Sequence, residues 1–381
     1  MVSRTERTTF AAWLWTIDRP MLGALAMLML AGIVLSLAAS PPVAARLGLD
    51  PFYFVHRHIM FLAPAFVVLI ATSFLPPRQL RRLALVVFAV SLVLVALTLW
   101  YGAEVKGARR WITLIGISVQ PSEFLKPSFV ILISWLFGES VRRPEMPANT
   151  VSLALLLGVL ALLVLQPDFG QAMLIALVWG ALFFMAGMRI VWVVGLAGTA
   201  VVGLTAAYAT VPHVASRIQR FLDKGAGDTF QVDTAVESFV RGGWFGRGPG
   251  EGTVKRILPD SHADYPFAVA AEEFGIALCL VLVALFAFIV IRALRHALRD
   301  EEPFTRFAMA GLSMLFGLQS AINMSVNLHL IPAKGMTLPF ISYGGSSLIS
   351  LAYGMGMLVA LTRERPSALL PGEIVLGGST A

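Results

Sequence analysis

The residues best suited to chemistry stand in one stretch, "ILPDSHADYPFAVAAEEFG" at 257–275, where four carboxylates and His262 border an apolar run. Asp264 marks the threshold of that run, and Glu272 and Glu273 follow about 12–14 Å further along if the segment is helical. A carboxylate at such a boundary can take a proton from an attacking hydroxyl, cap a helix, or pair with a cation. A second polar stretch, "VKGARRWITLIGISVQPSEFLKPS" at 105–128, carries Arg109, Arg110, Trp111, Gln120, Pro121, Glu123 and Lys126. Trp111 beside Arg110 also fits an interfacial anchor with a snorkelling cation. Lys126 falls one turn inside a helix for which Ser122 is the expected N-cap, and its ammonium there needs a partner or an anionic ligand. Asp168, in "LQPDFGQA", fits a tight turn, and Lys334 stands in "NLHLIPAKGMTLPFISYGGSS".

These clusters interrupt a chain of 381 residues that is 57% hydrophobic and 13% charged, with a mean hydropathy of +0.80. Soluble chains carry about 25% charged residues. Apolar runs recur at the length of a bilayer core and do not alternate as barrel strands do. The reading is an all-α polytopic membrane protein. Ionisable groups in such a setting cost roughly 2.5–3.5 kcal/mol at mid-bilayer, less near the edge, so each is a functional suspect. Lone Cys279 excludes an internal disulfide or thiolate cluster, and no HExxH spacing points to zinc.

About ten transmembrane helices are expected, near 21–40, 57–75, 82–101, 124–140, 150–166, 171–187, 190–209, 265–293, 305–330 and 340–362. The first is read as a retained helix, since it is longer than a signal-peptide core and follows a polar leader. Lys and Arg concentrate in the loops at 78–82, 142–145, 189 and 292–306, making those loops and both termini cytoplasmic. The expected organisation is one membrane domain with tails at 1–20 and 363–381 and a large outer loop at 210–264, containing an amphipathic helix from about Phe230 to Phe239. The polar clusters all fall on the outer side.

The segments "GARRWI", "QPSEFLK", "QPDFGQAM", "GGWFGRGPGEGTVKRILPDSHADYPFAVAAEEFG" and "IPAKGMTLPFISYGGSS" resemble, in order and over nearly the whole chain, the SEDS family (shape, elongation, division and sporulation). The likeness is to its cell-division branch. It implies a peptidoglycan glycosyltransferase that polymerises lipid II at the outer face of the bacterial cytoplasmic membrane, at the division septum. The family's His-Thr-Asp-Phe motif reads "HADY" here, which implies Asp264 as the catalytic base despite Ala263 and Tyr265-Pro266. The resemblance also implies functional roles for Arg109, Arg110, Trp111, Glu123 and Lys126. It leaves Gln120, Pro121, Asp168, Glu237, His262 and Glu272 as structural or undecided.

Transfer of a glycan from undecaprenyl pyrophosphate calls for one base and for cations on the leaving group, with Lys126, Arg110 and Lys334 as candidates. A divalent cation, Mg or Mn, is a further candidate for that charge. Implied partners are lipid II, the undecaprenyl-linked glycan, a class B penicillin-binding protein transpeptidase of the FtsI type, and other division-complex membrane proteins. No nucleic acid is expected. Two alternatives stay open: a lipid II transporter or flippase, which should carry polar groups through the bilayer depth, and a non-catalytic division scaffold.

Overall fold

The computed structural model describes residues 8–105, 108–114, 116–210, 215, 219, 230–332 and 335–363. Its elements open with α1 (Thr9–Thr16), α2 (Arg19–Arg46), α3 (Tyr53–Ser73) and α4 (Pro77–Tyr101). Strands β1 (Ala103–Val105), β2 (Ala108–Leu114) and β3 (Ile117–Val119) follow, then α5 (Pro121–Arg142), α6 (Ala148–Leu165), α7 (Phe169–Met185) and α8 (Ile190–Thr210). The chain continues with α9 (Phe230–Gly242), a 3-10 turn (Val254–Arg256), α10 (Pro266–Arg299), α11 (Pro303–Asn327) and α12 (Gly345–Leu361). Among the described residues, eight helices are long and apolar enough to cross a membrane, and α7 and α12 are shorter apolar helices, so each of the ten expected runs is helical. The amphipathic helix expected in the large loop is α9.

Several features depart from the expectation. The segment read as an N-terminal tail contains α1, whose Trp13 is buried, stacks on Phe74 at 4.7 Å and donates Nε1–H to Ser73 Oγ at 2.9 Å. The next residue to anchor it is Asp18. It caps α2 through the Met21 N–H (3.1 Å) and takes Arg292 Nε (2.8 Å) and His296 Nε2 (2.8 Å) from the far end of α10. Burial opposes ionisation of Asp18, but the bonds from His296, Arg292 and Met21 outweigh it and hold the carboxyl at about 2. The segment 102–123, expected to be a loop, contains a three-stranded antiparallel meander in the order β1-β2-β3.

Helix α2 also continues past its expected end, through Pro41 and Pro42. Pro42 has no N–H to give the Ala38 carbonyl. Lys255 Nζ bonds that carbonyl instead, at 2.9 Å, and also pairs with Glu273. A backbone group that the helix leaves free thus becomes an anchor for the large loop.

The sharpest feature is a break in α10. Gly275 adopts φ 82° and ψ 176°, so the helix is really two helices meeting at a gap. The loop after α9 fills it. The Arg247 and Gly248 N–H groups bond the carbonyls of Glu272 (2.9 Å) and Glu273 (3.0 Å), while Ile276 and Ala277 donate to the carbonyls of Gly243 (2.9 Å) and Trp244 (3.1 Å). A low-dielectric setting requires such compensation for every freed backbone group. It also requires glycine: a Cβ on Gly246 would lie 2.2 Å from the Glu273 oxygen, and one on Gly275 2.3 Å from the Trp244 oxygen.

Gly246→Ala should therefore lower stability by about 2 kcal/mol or more, combining left-handed strain with a backbone clash. Gly243→Ala, with φ +58° but open space at the Cβ, should cost about 1 kcal/mol. Thermal unfolding of the purified variants checks this; equal shifts would mean that the loop does not fit tightly into the break.

Candidate functional site

The polar segments expected on one face do meet there. Gln120 N–H donates to Ser346 Oγ (3.3 Å), Tyr343 N–H to the His262 carbonyl (2.9 Å), and Arg46 to the Leu258 carbonyl (2.9 Å). The sheet, the start of α5, the turn before α7, the end of the large loop and the segment before α12 thus form one polar surface.

The alternation of a strand sends neighbouring arginines of β2 to different partners. Arg109 is exposed and pairs with Glu104 at 3.4 Å. Arg110 turns inward to Asp168 (3.6 Å), the Gln166 carbonyl (3.2 Å) and the Pro167 carbonyl. Trp111 is half-buried beside them. Asp168 is buried, and Gln120 Nε2 approaches its Oδ2 at 3.4 Å. Burial raises the Asp168 pKa, and the Arg110 guanidinium opposes that shift. Arg110 and Asp168 are thus a clasp between the sheet and the turn before α7, and Pro121 takes the first position of α5.

That start corrects one expectation. Gln120, not Ser122, is the N-cap residue of α5, and Ser122 is buried inside the first turn. One turn further, Lys126 Nζ pairs with Glu123 Oε2 at 3.0 Å and donates to Gln319 Oε1 at 3.1 Å. Gln171 Nε2 donates to Glu123 Oε1 at 2.8 Å. Lys126 and Glu123 are both buried, so the structure gives Lys126 an internal partner rather than an open path to a ligand.

Asp264 is half-buried. Its backbone carbonyl accepts from Asn323 Nδ2 and Asn327 Nδ2, both at 3.1 Å. Asn327 Oδ1 accepts the Ala268 N–H at 3.1 Å and so caps α10 from a different helix. Asn323 also holds the Met336 carbonyl at 2.6 Å, and Gln319 holds that of Thr337 at 3.1 Å. Gln319, Asn323 and Asn327 follow at every fourth residue, one face of α11, about 12 Å from first to last. This ladder joins Lys126, the segment before α12 and Asp264. The sequence reading missed it, although amides at helical spacing in an apolar run were a visible signal.

His262 packs against the rings of Phe54 (4.4 Å) and Tyr343 (5.4 Å), which also meet each other at 5.3 Å. Burial raises the Tyr343 pKa, while nearby Arg57 opposes the shift. Arg57, another residue the sequence reading passed over, is half-buried with its guanidinium over the rings of Tyr53 and Phe61. It is a cation on the same wall as His262.

The remaining candidates separate from Asp264. Both Glu272 oxygens are taken by backbone: Oε1 by the N–H groups of Thr253 (2.6 Å) and Val254 (2.7 Å), Oε2 by that of Lys255 (2.9 Å). Its role is to bind the large loop to α10. Glu237 pairs with Arg241 along α9. Lys334 lies outside the described residues. Among the described residues, no group of three or more His, Cys, Asp or Glu side chains could hold a metal ion.

The cell cycle protein family model FTSW_RODA_SPOVE matches residues 19–367. The "Probable peptidoglycan glycosyltransferase FtsW" of Caulobacter vibrioides is 44% identical over 381 residues, covering 100% of this chain and 98% of that protein. The protein of the same name from Trichlorobacter lovleyi is 34% identical over 356 residues, covering 90% and 92%. Among solved structures, a chain of a peptidoglycan synthase complex that coordinates polymerization and crosslinking aligns with a TM-score of 0.75 at 27% identity, covering 91% of this chain and 97% of that one. The rod shape determining protein RodA of Thermus thermophilus aligns with a TM-score of 0.66 at 27% identity, covering 91% and 96%.

Lys126→Met should strand the buried Glu123 carboxylate and lower stability by about 3–5 kcal/mol, and adding Glu123→Gln should recover much of that. Denaturation of the single and double variants tests it. If Lys126→Met leaves stability unchanged, the ammonium serves a ligand rather than the fold.

Proposed function

The chain belongs to the FTSW_RODA_SPOVE family of cell cycle proteins, and from that premise we propose how it works as a peptidoglycan glycosyltransferase. It is a multi-pass protein of the inner membrane that polymerises lipid II into glycan strands at the outer face, during septal wall synthesis. The C4 hydroxyl of a lipid II acceptor attacks C1 of the lipid-linked donor sugar. Asp264 takes the hydroxyl proton as the new C1–O bond forms, and the bond from C1 to the undecaprenyl pyrophosphate breaks. The pyrophosphate leaves as a stable anion, so one base is enough, and direct attack inverts α to β.

The observation that carries this reading is the anchoring of Asp264. Its carbonyl is held by two amides of α11, at the rim where the polar segments of one face converge. A base fixed at its backbone keeps its carboxylate within a narrow range of positions, which is where most of the advantage of an oriented base arises. The growing charge on the leaving group needs cations. Arg57, near His262 and Tyr343, is the strongest of the described residues for that role. Arg109, exposed on the sheet, and Lys334 are the next. Arg110, Trp111, Glu123 and Lys126 shape the site by fixing the sheet and α5 rather than by touching the pyrophosphate.

The cross-linking partner is a class B penicillin-binding protein transpeptidase. A structural relative within a complex that coordinates polymerization and crosslinking supports this. The arginine-rich loops opposite the sheet make that opposite face cytoplasmic, with both termini on it.

Asp264→Asn should fold normally and lose polymerisation by about 10²–10⁴-fold. Glycan-strand formation from labelled lipid II, by purified protein with its transpeptidase at matched thermal stability, measures this. Equal activity would remove Asp264 as the base. Movement of lipid II between leaflets without strands from either protein would favour a transporter.

A further inference from the structure

The face opposite the sheet holds a cavity of about 360 Å³ where the start of α4, the end of α5 and the start of α11 meet. Its lining includes Pro77, Arg78, Arg81, Arg142, Glu302 and Phe304. Nothing in the glycosyl transfer uses it. We propose that this cavity binds the phosphate of an anionic phospholipid.

The charge balance comes first. Three arginines face one carboxylate, and that carboxylate is fully engaged. Glu302 Oε1 pairs with Arg142 at 3.0 Å, while its Oε2 accepts the Thr305 N–H (2.6 Å) and hydroxyl (2.7 Å) as the cap of α11. Among the described residues, neither Arg78 nor Arg81 has a carboxylate within ion-pair distance. Among the described residues, the cavity therefore keeps two guanidinium groups with no carboxylate of their own.

Arg81 is also held in position. Its guanidinium lies over the ring of Phe304 at 5.0 Å and that of Trp135 at 5.4 Å. Stacking fixes the plane and leaves the N–H edge for an oxyanion, the geometry in which arginine binds phosphate best. Helix α4 opens at the same cavity without a side-chain cap, which adds the positive end of its dipole.

A phosphate group could belong to a lipid or to a free ligand, and the surroundings favour the lipid. Below the arginines, α4 exposes Leu85, Val86, Val90 and Val93, an apolar strip for acyl chains. The cavity thus sits at the end of a lipid-facing surface, where basic pockets between transmembrane helices take anionic head groups.

The test uses the full-length protein and native mass spectrometry. Retention of phosphatidylglycerol is compared with that of phosphatidylcholine with the same acyl chains. The variants are Arg78→Gln, the double variant Arg78→Gln with Arg81→Gln, and Arg189→Gln as a control arginine in another loop of this face. Wild type should prefer phosphatidylglycerol, the double variant should lose about 5–30-fold of that preference, Arg78→Gln part of it, and Arg189→Gln none. Arg78→Gln, exposed on the first turn of α4, keeps the test decisive if removing Arg81 disturbs packing. No preference in wild type, or equal loss in Arg189→Gln, overturns the site. Thermal stabilisation by inorganic phosphate, lost in Arg78→Gln, with no preference among lipids overturns the lipid as its source.

Discussion

The break in α10 at Gly275 is the constraint on which the rest of the structure depends. In a bilayer, the backbone groups freed on either side of a helix gap cannot turn to water, so another backbone must meet them. The loop at 243–248 does so, and only because glycine stands at the points of closest approach. Once it is inserted, the large loop is fixed to the helix that follows it. Glu272 then receives the N–H groups at 253–255, and Lys255 reaches both Glu273 and the carbonyl that Pro42 leaves free. The chain from 243 to 265 is pinned at several points between two transmembrane helices.

Asp264 comes at the end of that pinned segment, and α11 fixes it from the other side. Gln319 holds the Thr337 carbonyl, while Asn323 and Asn327 share that of Asp264, and Asn327 also bonds the Asn323 amide oxygen. Amides suit this task because they carry donor and acceptor without charge. The ionised groups nearby mostly pair among themselves, Lys126 with Glu123 and Arg110 with Asp168. Such pairs are weak sources of stability but strongly penalise any arrangement that separates them. The site is accordingly a rigid frame, and the groups left for a substrate are those at its rim.

Much of this was legible in the sequence. Ten apolar runs gave ten helices, and the clusters around Arg110, Asp168 and Asp264 met on one face as expected. Other features depend on contacts between distant segments that local pattern does not encode. For Lys126 the sequence left a partner or an anionic ligand open, and the structure supplies Glu123 one turn away and Gln319 on another helix. Glu272 stayed undecided between chemistry and structure, and its partners prove to be the N–H groups of a loop 17 to 19 residues upstream. The helix break was hidden because α10 is continuously apolar after Gly275, while its cause lies in the glycines of 242–248. The N-terminal helix was missed because its anchor, Trp13, is satisfied by Ser73 and Phe74 from another hairpin.

In the proposed mechanism α11 serves catalysis by holding Asp264. A double-mutant cycle tests it most directly, with lipid II polymerisation rates for Asn323→Ala, Asp264→Asn and the pair, at matched thermal stability. Asn323→Ala alone should slow the reaction by about tenfold or more, as expected when a reacting group shifts by a fraction of an ångström. Added to Asp264→Asn, it should slow it no further, because the group it positions is already gone. Multiplying effects would contradict the account and assign the amide a role independent of Asp264.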